Sequence, residues 1–412
     1  MNVIHPSCCG LDVHKKTVVA CLIVSAAKGE QRKEFRTFRT MKADLLALVE
    51  WLKTAKCTHV AMESTGVYWK PIFNVLEGQM EVLVVNAQHL KAVPGRKTDM
   101  RDAEWIADLL QYGLLRPSFI PSAFEREIRE LTRYRTRLIQ TRSRSINRLH
   151  KTLEDTNIKL TSVATDIMGQ SAQAILKALL DGQTDPQVLA ELAKGKMRAK
   201  RELLAQALTG TLEAHHRFLI AEHLTLIESL DERIEQADRE VAERLKPYEE
   251  SITRLDTIPG VNRRSAEVFL AEIGTDIHRF PSAEHLASWT GICPGNNESA
   301  GKHFSGKMRK GNRWLRSALV EAANAAARTK NTYLSAQYYR LVGRRGKPKA
   351  LVALGHTLLV IVYYLLLREE EYQELGGNYF DERDRQAVEK RLVRRLENLG
   401  YQVALQPVSS AS

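Results

Sequence analysis

Residues 7–25 read SCCGLDVHKKTVVACLIVS, and this stretch decides the fold of the first part of the chain. Its two apolar, β-branched segments, 7–13 and 17–25, predict two buried strands joined by a short polar turn. Asp12 lies near the end of the first strand, beside apolar sequence where a lone charge is costly to bury. Asp12 is therefore a candidate for a paired or metal-binding carboxylate.

Three more carboxylates follow in comparable positions. Glu63 ends the apolar run 57–63, and Asp99 and Asp102 open a helical pattern that continues through Leu110. A separation of three residues places Asp99 and Asp102 on one helix face. Carboxylate oxygens suit Mg²⁺, and two such ions can clamp the attacking and leaving oxygens of a phosphoryl transfer. Spacing alone equally allows four unrelated, solvated acids.

The order of elements over residues 1–120 narrows the fold class. We predict strands near 7–13, 17–25, 33–39, 57–63 and 81–85, and helices near 43–52, near 67–78, after Asn86 and after Asp99. Such an order forms an α/β fold, a mixed sheet covered by helices. It resembles the RNase H-like (RuvC-like) fold, in which acids of the first strand, the fourth strand and the last helix meet at a metal site. The resemblance implies two Mg²⁺ ions held by the four acids named above.

Composition points to an anionic partner. The 412 residues suffice for two or three domains, and the formal net charge of +12 favours nucleic acid first and an acidic membrane second. The five cysteines include one adjacent pair and no C-x-x-C pair, which argues against a zinc site and against a disulfide framework. Because the N-terminus carries no secretory signal pattern, the sequence predicts a cytoplasmic protein.

One apolar stretch, 351–367, is almost long enough to cross a membrane. It stands at the short limit for a span, and His356 and Thr357 interrupt it. We therefore predict a helix buried in a protein core and no membrane partner.

Residues 121–250 carry a helical pattern with an unusual charge. Ser122 and Glu125 form a capping-box signature at a helix start. From Arg126 to Lys151 there are nine Lys or Arg and two Glu, which is too one-sided for neighbours on the helix to neutralise. The imbalance favours phosphate contacts over an ordinary solvated face.

A second long helix is predicted from about Leu212 to Leu245, after a short helix that begins at Asp185-Pro186. The apolar residues of the long helix recur at steps of three and four, as is typical of a coiled coil. Its partner is either the helix over 122–158 or the same helix of a second subunit, and the pattern leaves both open.

Residues 251–368 combine turn signals with a large excess of positive charge. Ile258-Pro259-Gly260 before a helix resembles half of a helix-hairpin-helix, whose turn aims backbone N–H groups at a phosphate. From Ser299 to Ala350 there are 13 Lys or Arg and one acid, so this segment carries a net +12. That excess is the strongest compositional indication of a polyanionic ligand. By composition alone, Ser299 is an ordinary turn serine in a Gly-rich loop.

The last residues form a tail. We predict a helix over 385–399, a short strand-like piece over 401–405 and disorder from Pro407. The predicted organisation is an α/β domain at 1–120, a helical coiled-coil domain at 121–250, a mainly helical C-terminal domain at 251–368 and a tail at 369–412.

Taken together, several blocks resemble the bacterial insertion-sequence transposases with a DEDD motif, which are akin to the pilin-gene invertases. The N-terminal blocks, which resemble the family's RuvC-like domain, are Asp12 with His14-Lys15, Glu63 with Gly66, and Lys97-x-Asp99-x-x-Asp102-Ala103. The C-terminal blocks, which resemble its transposase domain, are Ile258-Pro259-Gly260, 294–301 and Lys310-Gly311-Asn312-x-x-Leu315-Arg316. The resemblance covers nearly the whole chain.

This resemblance implies an enzyme that moves a DNA element by site-specific recombination, with an element-encoded RNA as guide, and that works as a homo-oligomer, a dimer or a tetramer. It also implies Mg²⁺ at the four acids and a nucleophile at Ser299 that joins covalently to DNA. The family loop often reads Ser-Gly, whereas this chain reads Ser299-Ala300-Gly301, which leaves Ser305 as a second candidate. A structure-specific endonuclease that uses water, such as a junction resolvase, and a non-catalytic nucleic-acid-binding scaffold are the alternatives.

Basic residues around these blocks are the predicted nucleic-acid contacts, because cations beside the acids, along the basic helix and around the serine suit phosphates. They are Lys15, Lys97, Arg133, Arg137, Arg142, Arg144, Lys302, Lys307, Arg309, Lys310, Arg313 and Arg316.

Overall fold

A computed structural model describes residues 3–25, 31–64, 66–86, 102–293, 297–299, 302–305, 308 and 310–406, giving the backbone alone for 297–299 and 302–305. The chain forms two compact units, Met1–Pro121 and Ser122–Ser412. The finer division of the second unit at 250 and 368 stays a prediction.

The first unit is built on a five-stranded mixed sheet. Its strands are β1 (Ser7–Val13), β2 (Thr17–Ser25), β3 (Gln31–Arg39), β4 (His59–Glu63) and β5 (Glu81–Val85), in the order β3-β2-β1-β4-β5. The first three strands are antiparallel, whereas β4 runs parallel to β1 and β5 runs parallel to β4. The predicted mixed α/β sheet is confirmed, and β1 is its central strand.

Helices cover both faces of this sheet. They are α1 (Lys42–Thr54), α2 (Trp69–Leu76) and α3 (Asp102–Gln111). Side chains of α1 and α2 join Cys9 and Leu11 of β1 in one apolar cluster, while α3 packs with Cys8 in another. Because side chains alternate along a strand, the two clusters lie on opposite faces of the sheet. α3 alone among the described helices covers the face that carries Cys8.

The second unit is mainly helical. Its helices are α4 (Ala123–Asp155), α5 (Leu160–Val163), α6 (Gln170–Leu180), α7 (Pro186–Glu191), α8 (Arg201–Ala207), α9 (Ala214–Leu245), α10 (Glu249–Asp256), α11 (Arg263–Ile273), α12 (Ala283–Thr290), α13 (Arg313–Ala326), α14 (Tyr333–Arg345), α15 (Lys347–Arg368), α16 (Tyr379–Arg383) and α17 (Arg385–Glu397). A hairpin of β6 (Asn297–Ser299) and β7 (Lys302–Ser305) precedes α13.

The two long helices, α4 and α9, pair antiparallel. Arg135 of α4 forms an ion pair with Asp238 of α9 at 3.0 Å, and Arg142, two turns later, pairs with Asp231. Rising residue numbers on α4 thus meet falling numbers on α9, and an apolar cluster around Leu138 lies between these pairs. The partner of the predicted coiled-coil helix is therefore the long basic helix of the same chain.

This long pair spans two apolar cores. Near the start of α4, Ile128 and Val241 join the side chains of α10 to α15. Toward its end, Leu149 and Ile220 join those of α5 to α8. Each long helix therefore buries one apolar seam over most of its length.

α15 contains the apolar stretch that resembles a membrane span. By length and hydropathy it could cross a bilayer, and half of its most apolar window is buried within the protein. Leu354, Leu358 and Val362 are fully buried in the core with α12, α13 and α14. Tyr363 donates a hydrogen bond to the carbonyl oxygen of Phe280 at 3.0 Å, which ties the helix to the segment before α12. The stretch predicted to be a core helix thus contributes to this core.

Local signals identified several element boundaries correctly. The Glu125 N–H donates to Ser122 Oγ at 3.3 Å and the Ser122 N–H donates to Glu125 Oε2 at 3.0 Å, so the predicted capping box is present. Asp185 caps α7, because its Oδ1 accepts from the Gln187 N–H at 2.9 Å.

One prediction about the tail is wrong. α17 covers most of the expected helix, but residues 401–405 form no strand. A strand needs a partner for its backbone groups, whereas the Tyr401 N–H bonds to the carbonyl oxygen of Leu396 and closes the helix end. The expected disorder from Pro407 concerns residues outside the described ranges.

Candidate functional site

Asp12 and Glu63 lie at the same edge of the sheet, on two neighbouring parallel strands. The pairing of β1 with β4 ends with Leu11 opposite Met62, so Asp12 and Glu63 are the next residue on each strand. Neighbouring strands are about 4.8 Å apart, and residues opposite each other point to the same face. The two carboxylates are therefore neighbours.

Helix α3 reaches this edge through a close approach to Gly10. A Cβ at Gly10 would stand 2.1 Å from the carbonyl oxygen of Ala103 and 2.4 Å from the backbone nitrogen of Ala107. Only glycine lets the helix backbone lie so near the strand. Earlier on β1, Cys8 Sγ lies 3.7 Å from the carbonyl oxygen of Ala107. α3 therefore runs opposite to β1, with its N-terminus toward the end of β1 that carries Asp12.

Asp102 is the first residue of α3 and so belongs to the same edge. Asp12, two residues beyond Gly10, points to the face of β1 that α3 covers. Asp12, Glu63 and Asp102 are all half-buried. Asp99, the fourth predicted acid, lies outside the described residues. Among those that are described, no three acidic, histidine or cysteine side chains stand close enough together to share one metal ion.

The other acids of α3 are engaged elsewhere. Lys33 donates hydrogen bonds to Glu104 at 2.9 Å and to Asp108 at 2.8 Å. Burial alone would lower the pKa of Lys33, but these two hydrogen bonds raise it above its ordinary value. Asp12, by contrast, lies 3.1 Å from the exposed His14, in the turn that also carries the exposed Lys15.

The predicted serine loop contains a β-hairpin. β6 and β7 pair antiparallel, with Ser299 opposite Lys302 and Ser305 opposite Asn297. Ser299 therefore ends a strand, although the neighbouring glycines had suggested a loop, because cross-strand hydrogen bonds satisfy its backbone.

Three predicted nucleic-acid contacts near the acids and the hairpin lie outside the described residues: Lys97, Lys307 and Arg309.

The Lys310-Gly311-Asn312 motif, which follows the hairpin in the chain, packs closely at the start of α13. A Cβ at Gly311 would stand 2.4 Å from the carbonyl oxygen of Thr290. Asn312 caps α13, since its Oδ1 accepts from the Trp314 N–H at 3.0 Å. Its Nδ2 also donates to Glu272 at 2.7 Å. The motif therefore fixes the start of α13 against α11 and α12.

Glu272 is a buried carboxylate that the sequence analysis missed. It has no exposed surface, and it accepts two hydrogen bonds from Arg133 at 2.6 and 2.7 Å. Arg129 Nε lies 3.8 Å from the same carboxylate. The available signal was its position in the apolar run Val268–Ile273, where a buried charge requires a partner.

The predicted nucleic-acid contacts on α4 fall into two groups. Arg133 and Arg142 are held by Glu272 and Asp231. Arg137 and Arg144 are exposed, and neither forms an ion pair with any residue that the structure describes. Acids of α9 and α11, remote in sequence, thus balance part of the charge that neighbours on α4 cannot.

A groove of about 590 Å³ lies between α4, α11 and α13, and both Arg137 and Arg144 line it. Arg313 and Trp314, at the start of α13, also line it. The guanidinium carbons of Arg313, Arg137 and Arg133 lie 5.0, 5.4 and 5.7 Å from the Trp314 ring centroid. Attraction between a cation and an aromatic ring favours these positions.

Two further predicted contacts flank the start of α13. Lys310 is exposed just before the helix, and Arg316 is half-buried on it. Like Arg313, both belong to the segment 299–350, whose net charge of +12 equals that of the whole chain.

The Ile258-Pro259-Gly260 turn joins α10 to α11, as expected for a helix-hairpin-helix-like element. Gly260 has a φ of +86°, which favours glycine. A Cβ there would stand 2.3 Å from the backbone nitrogen of Ala326. Packing against α13 therefore accounts for this glycine, and the phosphate contact of the turn stays a prediction.

Comparison with known proteins finds that two segments of this chain match family models of transposases. A family model for DEDD transposases of the IS110 type matches residues 9–158, which include the acids of the first unit. A second model, for the transposases of the IS116/IS110/IS902 family, matches residues 252–340, which include the hairpin and α13.

Individual relatives agree with these models. The chain is 26% identical over 371 residues to a transposase for insertion sequence element IS1111A from Coxiella burnetii, which covers 88% of this chain and 90% of that protein. It is 25% identical over 321 residues to a probable family 20 transposase from Pseudomonas aeruginosa, covering 76% and 85%. A transposase for insertion sequence element IS1328 from Yersinia enterocolitica is 24% identical over 299 residues, covering 71% and 78%.

Proposed function

Since the chain belongs to the IS110 family of DEDD transposases, we propose that it cuts and rejoins DNA by Mg²⁺-assisted phosphoryl transfer with a serine nucleophile. One observation carries the proposal. Asp12, Glu63 and Asp102 share one edge of the mixed sheet, on two neighbouring strand ends and at the start of α3. The strand order and the acid positions correspond to an RNase H-like domain, and we assign the first unit to that fold by this analogy.

The chemistry of the donor set suits the proposed ion. The three acids offer hard oxygen atoms, which Mg²⁺ prefers, and Asp99 is the proposed fourth ligand. Neighbouring carboxylates repel each other unless a cation or a proton lies among them. Mg²⁺, when bound there, would neutralise charge that develops on phosphate oxygens. Glu104 and Asp108 are not part of this set, because Lys33 already pairs with them.

The proposed nucleophile is Ser299, with Ser305 as the second candidate. In the proposed step the Ser299 hydroxyl oxygen bonds to phosphorus and the bond from phosphorus to the departing sugar oxygen breaks. The serine proton passes to a base, and the departing oxygen takes up a proton. One phosphate ester replaces another, so the covalent adduct keeps the energy needed for rejoining, which hydrolysis would lose.

The proposed partners are donor DNA, target DNA and a guide RNA, bound by a homo-oligomer, a dimer or a tetramer. The names of the relatives, as transposases of insertion sequences, support DNA. The net charge of +12 supports a polyanion in general. Guide RNA and oligomer rest on family resemblance. Digestion of copurified nucleic acid with RNase and with DNase in parallel tests whether the protein binds a guide RNA. Recovery of DNA alone would contradict the proposed guide RNA.

The experiment that tests the function is denaturing electrophoresis of labelled donor DNA incubated with the full chain and Mg²⁺. We expect a covalent protein–DNA adduct from the wild-type protein and none from Asp12→Asn or Ser299→Ala. The matched controls, Asp108→Asn on α3 and Ser305→Ala on the hairpin, should retain the adduct.

Other outcomes discriminate among the alternatives. An adduct from Ser299→Ala would remove this serine as the nucleophile. Free nicks without any adduct would favour a water-using endonuclease. Full activity in both Asp12→Asn and Asp102→Asn would remove the carboxylate chemistry and favour a binding scaffold.

A further inference from the structure

The arginines around α4 include an inner row that holds the fold together. Arg135 is almost fully buried and donates to Glu267 at 2.5 Å and to Asp238 at 3.0 Å. Arg129 and Arg133 surround Glu272 in the same way. Arg129 and Arg135 are buried and need such partners, and the half-buried Arg133 is held by the same carboxylate as Arg129, so these three side chains stabilise the fold.

An outer row lines the groove between α4, α11 and α13. Arg137, Arg144 and Arg313 are exposed, and no ion pair engages them within the described part of the chain. Arg137 and Arg144 are seven residues apart, so they lie on one helix face about 10.5 Å from each other. Like charges around one concave surface repel each other and favour an anion there.

Trp314 holds two members of this row in place. Arg313 and Arg137 lie 5.0 and 5.4 Å from its ring centroid, and Arg133 approaches the same ring while fixed by Glu272. A guanidinium held against a ring loses less freedom when it binds a ligand. The groove therefore presents two of its three cations, Arg137 and Arg313, already positioned.

We propose that this groove binds the phosphodiester backbone of a nucleic-acid strand through Arg137, Arg144 and Arg313. The inference rests on the proposed function, which requires nucleic acid but does not say where the second unit holds it. At about 3.4 Å of axis per phosphate, the distance from Arg137 to Arg144 corresponds to about three phosphates of one strand. Guanidinium groups suit phosphate because they can donate two parallel hydrogen bonds.

One carboxylate delimits the path of the strand. Glu321 lines the same groove from α13, seven residues after Trp314 and hence about 10.5 Å further along that helix. Burial raises the pKa of Glu321, in keeping with a position that disfavours its charge. The strand therefore lies at the arginine end, and Glu321→Gln should leave its binding intact or strengthen it.

The test measures how binding depends on salt. The full chain is titrated against labelled single-stranded DNA, single-stranded RNA or duplex DNA of about 20 nucleotides or base pairs, in about 50–400 mM salt. The test variant combines Arg137→Gln, Arg144→Gln and Arg313→Gln. The matched control removes the same charge from exposed arginines outside the groove, by Arg233→Gln, Arg239→Gln and Arg391→Gln.

Each phosphate contact contributes about 0.7 to the slope of log affinity against log salt for a single strand and about 0.9 for a duplex. Losing three contacts should lower the slope by about 2.1 for a single strand and about 2.7 for a duplex. If the affinities of the variant and the wild type become equal at about 1 M salt, binding at about 0.15 M salt should weaken about 50-fold for a single strand and about 170-fold for a duplex. The control should change the slope by less than about 0.5. All six side chains are exposed, so thermal unfolding should stay within about 2 °C of the wild type for both variants.

The outcomes separate this site from the proposed function. A groove variant whose slope matches that of the control overturns the site, while salt-dependent binding by the wild type still supports a nucleic-acid enzyme. A wild type that binds none of the three probes overturns both. A loss confined to the RNA probe assigns the groove to a guide, and a loss confined to the DNA probes assigns it to the element or its target.

Discussion

Gly10→Ala should loosen the edge of the sheet that carries the proposed catalytic acids. The new Cβ would stand 2.1 Å from the carbonyl oxygen of Ala103, and a shift of α3 by about 1.3 Å is needed to restore an ordinary contact of 3.4 Å. The two atoms that the new Cβ would meet, the carbonyl oxygen of Ala103 and the backbone nitrogen of Ala107, both belong to the backbone, so a side-chain rotation cannot relieve the clash. Such overpacking costs about 1–3 kcal/mol and occasionally more.

The effect should appear in both stability and activity. For a unit of 121 residues, a loss of this size lowers the Tm by about 4–12 °C. Because Asp102 begins α3, the shift also moves it relative to Asp12 and Glu63. A misplacement of about 1 Å in a reacting geometry can cost about 100-fold in rate.

The assays are scanning calorimetry of the full chain and the rate of adduct formation on donor DNA. The control is Gly343→Ala in α14, where the added Cβ meets nothing within 4 Å and should be neutral or stabilise by up to about 1 kcal/mol. A Gly10→Ala protein that melts within about 1 °C of the wild type and reacts at its rate would refute the close approach of α3 to β1.

Three further predictions concern buried charge and buried thiols. Glu272→Ala should lower the free energy of unfolding by about 3–5 kcal/mol, because it leaves Arg129 and Arg133 without their carboxylate. Urea denaturation measures this, and the exposed Glu235→Ala on α9, with a cost below about 0.5 kcal/mol, is the control; equal costs would contradict the network. Burial opposes ionisation of Glu125, but hydrogen bonds from Arg279 and backbone N–H groups lower its pKa below the ordinary 4.5. The contribution of ionised Glu125 to the free energy of unfolding should therefore be complete above about pH 5 and disappear as the pH falls through the lowered pKa. The difference in the free energy of unfolding between the wild type and Glu125→Gln should accordingly be constant above about pH 5 and shrink below it. Burial raises the pKa of Cys8, Cys21 and Cys57 to about 12, so iodoacetamide at pH 8 should modify the half-buried Cys293 first, and equal labelling of Cys8 in the folded protein, read by mass spectrometry, would be inconsistent with this core.

Short-range patterns predicted the first unit well. The two apolar, β-branched segments between Ser7 and Ser25 predicted β1 and β2 with their bounds, because strand propensity and the polar turn are both local. The end positions of Asp12 and Glu63 followed from the same patterns. The sequence did not reveal that the backbone of α3 lies against Gly10, since that contact joins residues about ninety positions apart.

Long-range pairing limited what could be predicted for the second unit. The charge of α4 suggested a basic face available for a ligand. Two of its arginines, however, are engaged in ion pairs, Arg133 with Glu272 and Arg142 with Asp231. Neither acid is a neighbour of its arginine in the chain, so no helical spacing reveals the pair. The same reason hid the groove, because Trp314 and Arg137 meet only when α13 packs near α4.

Crystals of the full chain soaked with Mn²⁺, read by anomalous diffraction, would test the proposed carboxylate centre most directly. We expect at least one ion bound to carboxylate oxygens of both Asp12 and Glu63, with Asp102 as a further ligand, at about 2.1–2.3 Å. Ions bound elsewhere in crystals that leave all three carboxylates unligated would contradict the proposal.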